Sequence, residues 1–494
     1  SGKRLRTFAA KSVSGVEKEL AMKTLKKFGM PGYLPALLPN KLLSSSKMTT
    51  INITRAFKLS DRWLVASFCA VLFGVFFFTI MSCSESSRPE NEQDERILWS
   101  FLAEANTYYG SPALSLDEQT VYIGTSDGIL ASPATNNALY ALFASSGKLQ
   151  WKYPLGSKEV RSTPAIAQDG SIVFVASEHG LTGTGGRNDY LYKLSSAGQL
   201  IWTYNINPSP GDPVDIGQSA PAIAPDGTIY VAAGGLYAID PEGQHKWTRF
   251  YPAVEDLRNS PIIDANGIVY FVYHNIPLTA IDPSDGHTLW SLNLGVNDHV
   301  LASPALGADG TIFIATYPGV VYAVSATGSL LWTFDANSIG YTCWMKSSPA
   351  IDSDGTIYLG TNSLSSASVF FLALDHKGAL KWLFEPSDLP ADVPSSHFDI
   401  YSSPAIGSDG AIYFGMEFGR VYALKPEDGS QLWMVETENA ITWSSPALSA
   451  LGTLFISDLS GHTYAIRTES SGLKAQAPWP KFRHDNQNTG LRIN

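Results

Sequence analysis

Between Ile97 and Ile466 short apolar runs alternate with compact polar turns, and one grammar repeats eight times. Each copy opens on a Ser-Pro-Ala-like element, with prolines at Pro112, Pro164, Pro221, Pro261, Pro304, Pro349, Pro404 and Pro446. The period is about 48 residues, the size of four short strands with their turns. Residues 219–249 show the parts: PAIA and TIYVAA flank Asp226-Gly227, LYAID follows, and HKWTR closes the copy. Asp-Gly between β-rich runs predicts a two-residue hairpin with both turn residues at positive φ. Equivalents stand at Asp169-Gly170, Asn266-Gly267, Asp309-Gly310, Asp354-Gly355 and Asp409-Gly410. Turn chemistry accounts for these aspartates better than calcium binding, because an EF-type loop needs more acids at fixed offsets.

The fourth run of each copy carries a tryptophan: Trp151, Trp202, Trp247, Trp290, Trp332, Trp382 and Trp433, each four residues after a glycine. An aromatic there can pack between neighbouring units, and the glycine suits the tight turn before it. Seven such runs follow eight openings. The eighth is ILWSF at 97–101, ahead of the first opening, so the N-terminal strand is expected to complete the last unit and remove the free edges of a ring. The expected fold is all-β: an eight-bladed propeller of four-stranded antiparallel blades over residues 97–466, with a C-terminal strap at 467–494.

The openings, the Tyr-Ala pairs and the Gly-x-x-x-Trp units resemble the pyrroloquinoline-quinone-like (quinoprotein-like) propeller repeat, over about three quarters of the chain. That superfamily holds quinone-dependent alcohol and glucose dehydrogenases. It also holds non-enzymatic propeller lipoproteins such as the scaffold of the outer-membrane barrel-assembly machinery, the branch this chain resembles. The resemblance thus implies either a scaffold or, as the alternative, a periplasmic dehydrogenase of alcohols or sugars using pyrroloquinoline quinone with calcium. The alcohol dehydrogenases are known for a disulfide between adjacent cysteines. Here no Cys-Cys pair exists, and Cys343 is the one cysteine of the body. The balance of these features favours a protein without catalysis and without a cofactor. Pro478-Trp479-Pro480-Lys481-Phe482 and the residues to Gly490 resemble a W-P-x-F-x-x-D-x-x-x-T-G segment that flanks such propellers; Trp479 and Phe482 would pin it to the propeller surface.

Charge locates the protein. Residues 1–82 hold 13 Lys+Arg and 3 Asp+Glu, so the rest of the 494 residues holds 34 − 13 = 21 basic and 45 − 3 = 42 acidic ones. A body this acidic repels phosphate backbones, which excludes nucleic acid as a partner. Trp63 to Met81 is nineteen residues without a charge, preceded by Arg55, Lys58 and Arg62, and ends Ile80-Met81-Ser82-Cys83. A basic flank, an apolar run and a small residue are the parts of an export signal. The ending resembles a lipobox, with Cys83 as the lipidated residue, and a plain transmembrane anchor is the competing reading. Residues 1–62 form an uncertain leader and basic n-region, within which 1–47 are given no role; 63–83 form the signal or anchor, and 84–96 a polar tether. The body is expected to face the periplasm or the cell exterior as a monomeric propeller of the bacterial envelope, bound to envelope proteins or surface polymer.

Candidate chemistry is sparse. The nine histidines show no H-x-H or H-E-x-x-H spacing, so no metal site is expected. GLTGTGG at 180–186 does not fit G-x-G-x-x-G and reads as a hairpin loop, and no G-x-S-x-G elbow occurs. One set of positions stands out, two places before the residue preceding each opening proline: Tyr109, Arg161, Gln218, Arg258, Leu301, Lys346, Tyr401 and Trp443. Leu301 apart, this polar and aromatic ring at the funnel mouth is the candidate ligand or partner site, suited to an anionic or aromatic ligand; mutual packing of rim residues is the plain alternative. For the leader, Cys83→Ser should abolish incorporation of radiolabelled fatty acid into the expressed chain; undiminished labelling would refute lipidation at that cysteine.

Overall fold

The computed structural model describes residues 94–492 apart from 127–135, 179–187, 207–218, 234, 252–258, 274–275, 296–298, 341–342, 364–368 and 388–398. The chain divides into Ser1–Pro89 and Glu90–Asn494. The leader, Cys83, most of the tether and the 180–186 loop therefore lie outside the described residues, as do Gln218 and Arg258.

The second unit is an eight-bladed propeller of antiparallel blades. Seven blades run in chain order from the innermost strand to the outermost, as in Ala222–Ile223, Ile229–Ala232, Gly235–Ile239 and His245–Phe250. The eighth takes Ala447–Leu448, Thr453–Ser457 and His462–Arg467 from the C-terminal side and Ile97–Leu102 from the N-terminal side. Ile97 pairs with Ile466 and Leu102 with His462, so the ring closes non-covalently through its last two strands. Blade 2 carries an extra strand, Lys158–Val160, beside Ile172–Glu178.

Inner and middle strands are buried throughout, whereas outer strands alternate exposed and half-buried positions. Every outer strand also carries a register shift at the residue before its tryptophan: Leu98, Gln150, Ile201, Lys246, Leu289, Leu331, Lys381 and Leu432 have no partner on strand three. A bulge at each open edge turns the strand and spoils it as a template for pairing with another chain.

The tryptophans lock blade to blade. Each lies against the glycine turn of the following blade rather than the turn of its own. A methyl group added to Gly147, Gly198, Gly243, Gly286, Gly328, Gly378 or Gly429 would come closer than 3.0 Å to the ring of Trp99, Trp151, Trp202, Trp247, Trp290, Trp332 or Trp382 respectively. The indole N–H of each then donates to a carbonyl in that same turn at 2.9–3.0 Å. Where both chain ends meet there is no such turn for Trp433. Arg96 covers its ring at 4.9 Å and pairs with Glu469 at 2.8 Å, and the indole N–H donates to that carboxylate.

The expected two-residue hairpins between strands one and two are corrected. Only the glycine has positive φ, as at Gly170, Gly227 and Gly310, and the aspartate does not. Gly170 N donates to Ala167 O and Ala167 N to Ser171 O, a three-residue loop with a left-handed glycine. The aspartate is retained because its carboxylate accepts the N–H two residues on, as Asp226 does from Thr228 and Asp354 from Thr356, both at 2.9 Å. In blade 1 Glu118 takes the glycine position at φ 55, and its carboxylate accepts from Ala450 N and the Asn486 amide.

Gly170 and Gly198 share a φ of 77°, but a methyl group at Gly170 meets nothing within 4 Å. Gly170→Ala should therefore cost about 1–2 kcal/mol, the left-handed strain alone. Gly198→Ala should cost about 2–4 kcal/mol, because the blade interface must also yield to the extra methyl. Equal shifts in thermal midpoint for the two variants would show that the tryptophan contact contributes nothing to stability.

Candidate functional site

The site grows out of the opening element, each letter of which has a separate task near the axis. The backbone N–H of the residue before proline donates to the hydroxyl of its counterpart in the next blade: Ser111 to Thr163, Ser260 to Ser303, Ser303 to Ser348, Ser348 to Ser403, Ser403 to Ser445 and Ser445 to Ser111, at 2.9–3.1 Å. Ala220 N joins in as a donor to Ser260 at 2.8 Å but has no hydroxyl to accept with. Proline has no N–H to leave unpaired facing the axis. The next residue but one, Leu114, Ile166, Ile223, Ile263, Ile351, Ile406 or Leu448, turns its N–H inward to the C-terminal segment.

That segment is not a strap on the surface, as expected, but a plug in the axial channel. Backbone carbonyls of Trp479, Pro480, Asn486, Gln487, Thr489 and Gly490 accept from the inner strands of blades 6, 7, 1, 2, 3 and 4. Asn486 Oδ1 accepts from Leu448 N of blade 8, and Arg492 donates to Gly307 and Ala308 of blade 5. Arg483 donates to the carbonyls of Pro261 and Pro221, and Asn488 to those of Pro112 and Pro164. Trp479 is buried, as are Lys481 and Arg483. Burial pulls the Lys481 ammonium down to about 7. Its three N–H groups nonetheless meet three oxygens, Phe482 O, Asp485 O and Asn488 Oδ1, at 2.6–3.0 Å, which favours the charged form. Sequence reasoning missed the plug because its partners are spread around the whole ring, with no repeat of its own to reveal them.

One end of the channel opens into a depression lined by Tyr109, Arg161, Leu301, Lys346, Tyr401 and Trp443, together with hydroxyls of the ring and Phe482 of the plug. Six of the eight positions singled out in the sequence thus share one cavity, the other two being Gln218 and Arg258. Five of the six form a continuous stack across blades 6, 7, 8, 1 and 2. Lys346 Nζ lies 4.6 Å from the Tyr401 ring, Tyr401 4.8 Å from Trp443, Trp443 6.4 Å from Tyr109, and the Arg161 guanidinium 5.2 Å from Tyr109. Lys346 is further enclosed by Tyr317 and Trp344.

The cations are compensated from behind, which the sequence did not reveal. Arg161, 2% exposed, pairs at 2.7 Å with the equally buried Glu159, itself bonded to Ser126. Lys346 has Asp399 and Glu417 near it; burial first and then Asp399 push Glu417 up to about 7, against the pull of Lys346. Glu417 Oε2 is buried without a hydrogen-bond partner among the described residues. Tyr401 hydrogen-bonds Asp399, and burial followed by that acid raises its phenol. Cys343 is a buried free thiol that burial pushes up to about 12, the setting of a packing residue rather than a nucleophile.

Because its folded pKa is raised, Glu417 binds protons more readily in the folded chain than in the unfolded one. It therefore costs stability above about pH 7, and that cost fades as pH falls toward the ordinary carboxylate range. Glu417→Gln should stabilise the chain by about 1–2 kcal/mol at pH 8 and leave it unchanged at pH 4.5. Thermal melts at the two pH values check this; a gain of equal size at both would rule out ionisation as the cause.

Comparison with known proteins follows the same lines. A family model described as outer membrane protein assembly factor BamB matches residues 90–277 and 276–483. Outer membrane protein assembly factor BamB of Yersinia pestis is 31% identical over 207 residues, 38% of this chain and 47% of that one. Its counterpart in Moranella endobia is 28% identical over 198 residues, with the same coverage. The chain spans about half the length of these relatives. The crystal structure of BamB from Moraxella catarrhalis superposes with a TM-score of 0.54 at 16% identity, covering 75% of this chain and 99% of that one. A europium-containing methanol dehydrogenase superposes at 0.56 with 13% identity, covering 76% and 93%. Both structural likenesses speak for the fold alone, whereas the sequence match spans both halves of the propeller: the chain belongs to the family of the outer membrane protein assembly factor BamB.

Proposed function

We propose that the chain is a membrane-tethered, non-catalytic propeller that holds protein partners in the bacterial cell envelope and uses the funnel mouth as one of its contact faces. The observation that carries this reading is the family match across residues 90–483. The basic flank, apolar run and Cys83 of the leader supply the tether. The bulged outer edges keep the blades from pairing indiscriminately, which suits a protein that presents chosen faces to its partners.

The quinone alternative gains no support from the mouth. The enclosed part of the depression measures about 40 Å³, space for a few water molecules, and Phe482 of the plug lines it. No carboxylate lines the depression, so none of the described residues there would serve as a calcium ligand.

Full-length chain incubated with the quinone and calcium should show no dye-linked oxidation of alcohols or sugars above the untreated level. A photocrosslinker placed at Trp443 in the native envelope should capture outer-membrane proteins that a crosslinker at Leu149, on an outer strand, does not. Robust turnover, or identical capture from both positions, would overturn this reading.

A further inference from the structure

The depression has a chemical bias that neither its family nor its shape discloses. Among the described residues its lining contains two cations, five hydroxyl residues of the axial ring and two phenols, and no carboxylate, imidazole or amide side chain. The hydroxyls of Thr163, Ser303, Ser348, Ser403 and Ser445, each residue at most 4% exposed, all accept a backbone N–H from the preceding blade. None of the five hydroxyls has an acceptor for its own proton among the described residues. Each oxygen thus has one lone pair engaged by the fold, keeps a second, and still has its O–H proton to give. The acids that balance the cations, Glu159, Asp399 and Glu417, stand outside the lining. The two cations are thus met by acids without a carboxylate among the described lining residues.

A described lining with two cations and five hydroxyl protons, and with no carboxylate, is complementary to a negatively charged group that only accepts. The enclosed space is right for a group of a few heavy atoms. Above it, the arc Tyr401–Trp443–Tyr109 and Leu301 offer apolar surface to whatever that group is attached to.

We propose that the funnel mouth is a socket for a single carboxylate carried on an apolar body, with the carboxylate oxygens on the ring hydroxyls between Lys346 and Arg161. The inference rests on the reading of this mouth as a contact face. Such a carboxylate has two sources, a free small organic acid and the C-terminus of a polypeptide. Binding is non-covalent and strengthens as pH falls from 8 to 6, because protonation of Glu417 leaves the charge of Lys346 less compensated.

The test is calorimetry with the full-length, detergent-solubilised chain. The probes are 3-phenylpropionate, its amide, and the tripeptide Ala-Ala-Leu as free acid and as amide. At least one acid should bind, and its amide at least tenfold more weakly. Lys346→Gln should weaken the acid about tenfold. Leu301→Glu, which adds a carboxylate at the rim without touching the hydroxyl ring, should abolish binding with the thermal midpoint unchanged. A tripeptide acid at least tenfold tighter than phenylpropionate identifies a polypeptide terminus as the source, and the reverse order a free acid; either supports the socket. Amides that bind as well as acids, or no binding to folded chain, overturn it. Retained crosslinking at Trp443 in that case would leave the scaffold reading standing. Acid binding together with quinone turnover would instead sink the scaffold reading alone.

Discussion

The distance between neighbouring blades is set at the rim, where a tryptophan ring lies flat on a glycine of the next blade, and everything nearer the axis depends on that distance. A blade four strands wide has two apolar faces and can bury both only against other blades. The glycine removes the one side-chain atom that would hold the ring off. The indole N–H then fixes the angle by reaching the carbonyl of the same turn. With the spacing fixed, the pre-proline hydroxyls fall within hydrogen-bond reach of the next blade, and the inner-strand N–H groups converge on a channel narrow enough for one extended segment to satisfy them.

This dependence explains what could be read in the sequence. The blade count, the tryptophan strands and the closing role of Ile97–Leu102 repeat or complete a repeat, and periodicity reports both. The mouth residues were legible for the same reason: equivalent positions in eight copies must lie on one circle. Their electrostatics were not. Glu159 and Asp399 share a repeat position, five residues before Pro164 and Pro404, but Glu417 does not, and the influence of all three comes from depth and from the particular cation each approaches. The bulges at Leu98 or Leu331 were also hidden, because a register shift is a relation between two strands and one strand's pattern does not record it. The Asp-Gly turns were located correctly but assigned the wrong conformation. The aspartate works through its side chain, accepting the N–H of Thr228 or Thr356, and not through a left-handed backbone.

The plug changes how the axis relates to function. In a hollow propeller the channel is a candidate conduit or cofactor site; here Phe482, Lys481 and Arg483 occupy it, and one mouth forms a depression beside the plug. Binding there, as proposed, would be a matter of surface recognition. The hydroxyls that order the ring are the same ones that face the mouth. The structural and recognition roles of the opening element are therefore not separable by point mutation of a single serine.

The axial circuit of N–H to hydroxyl bonds all runs in one sense around the ring, and Ala220 interrupts it between blades 2 and 3. An eightfold arrangement that would otherwise be uniform thereby acquires a polarity and a fault line. The seam between the chain ends lies elsewhere, in blade 8, where both are stitched by strand pairing and by the clasp of Arg96 and Glu469 on Trp433. The circle thus has two distinct irregularities: a seam made by pairing the terminal strand, and a missing hydroxyl between blades 2 and 3, where Trp202 still packs on Gly243 and donates to Pro241 O.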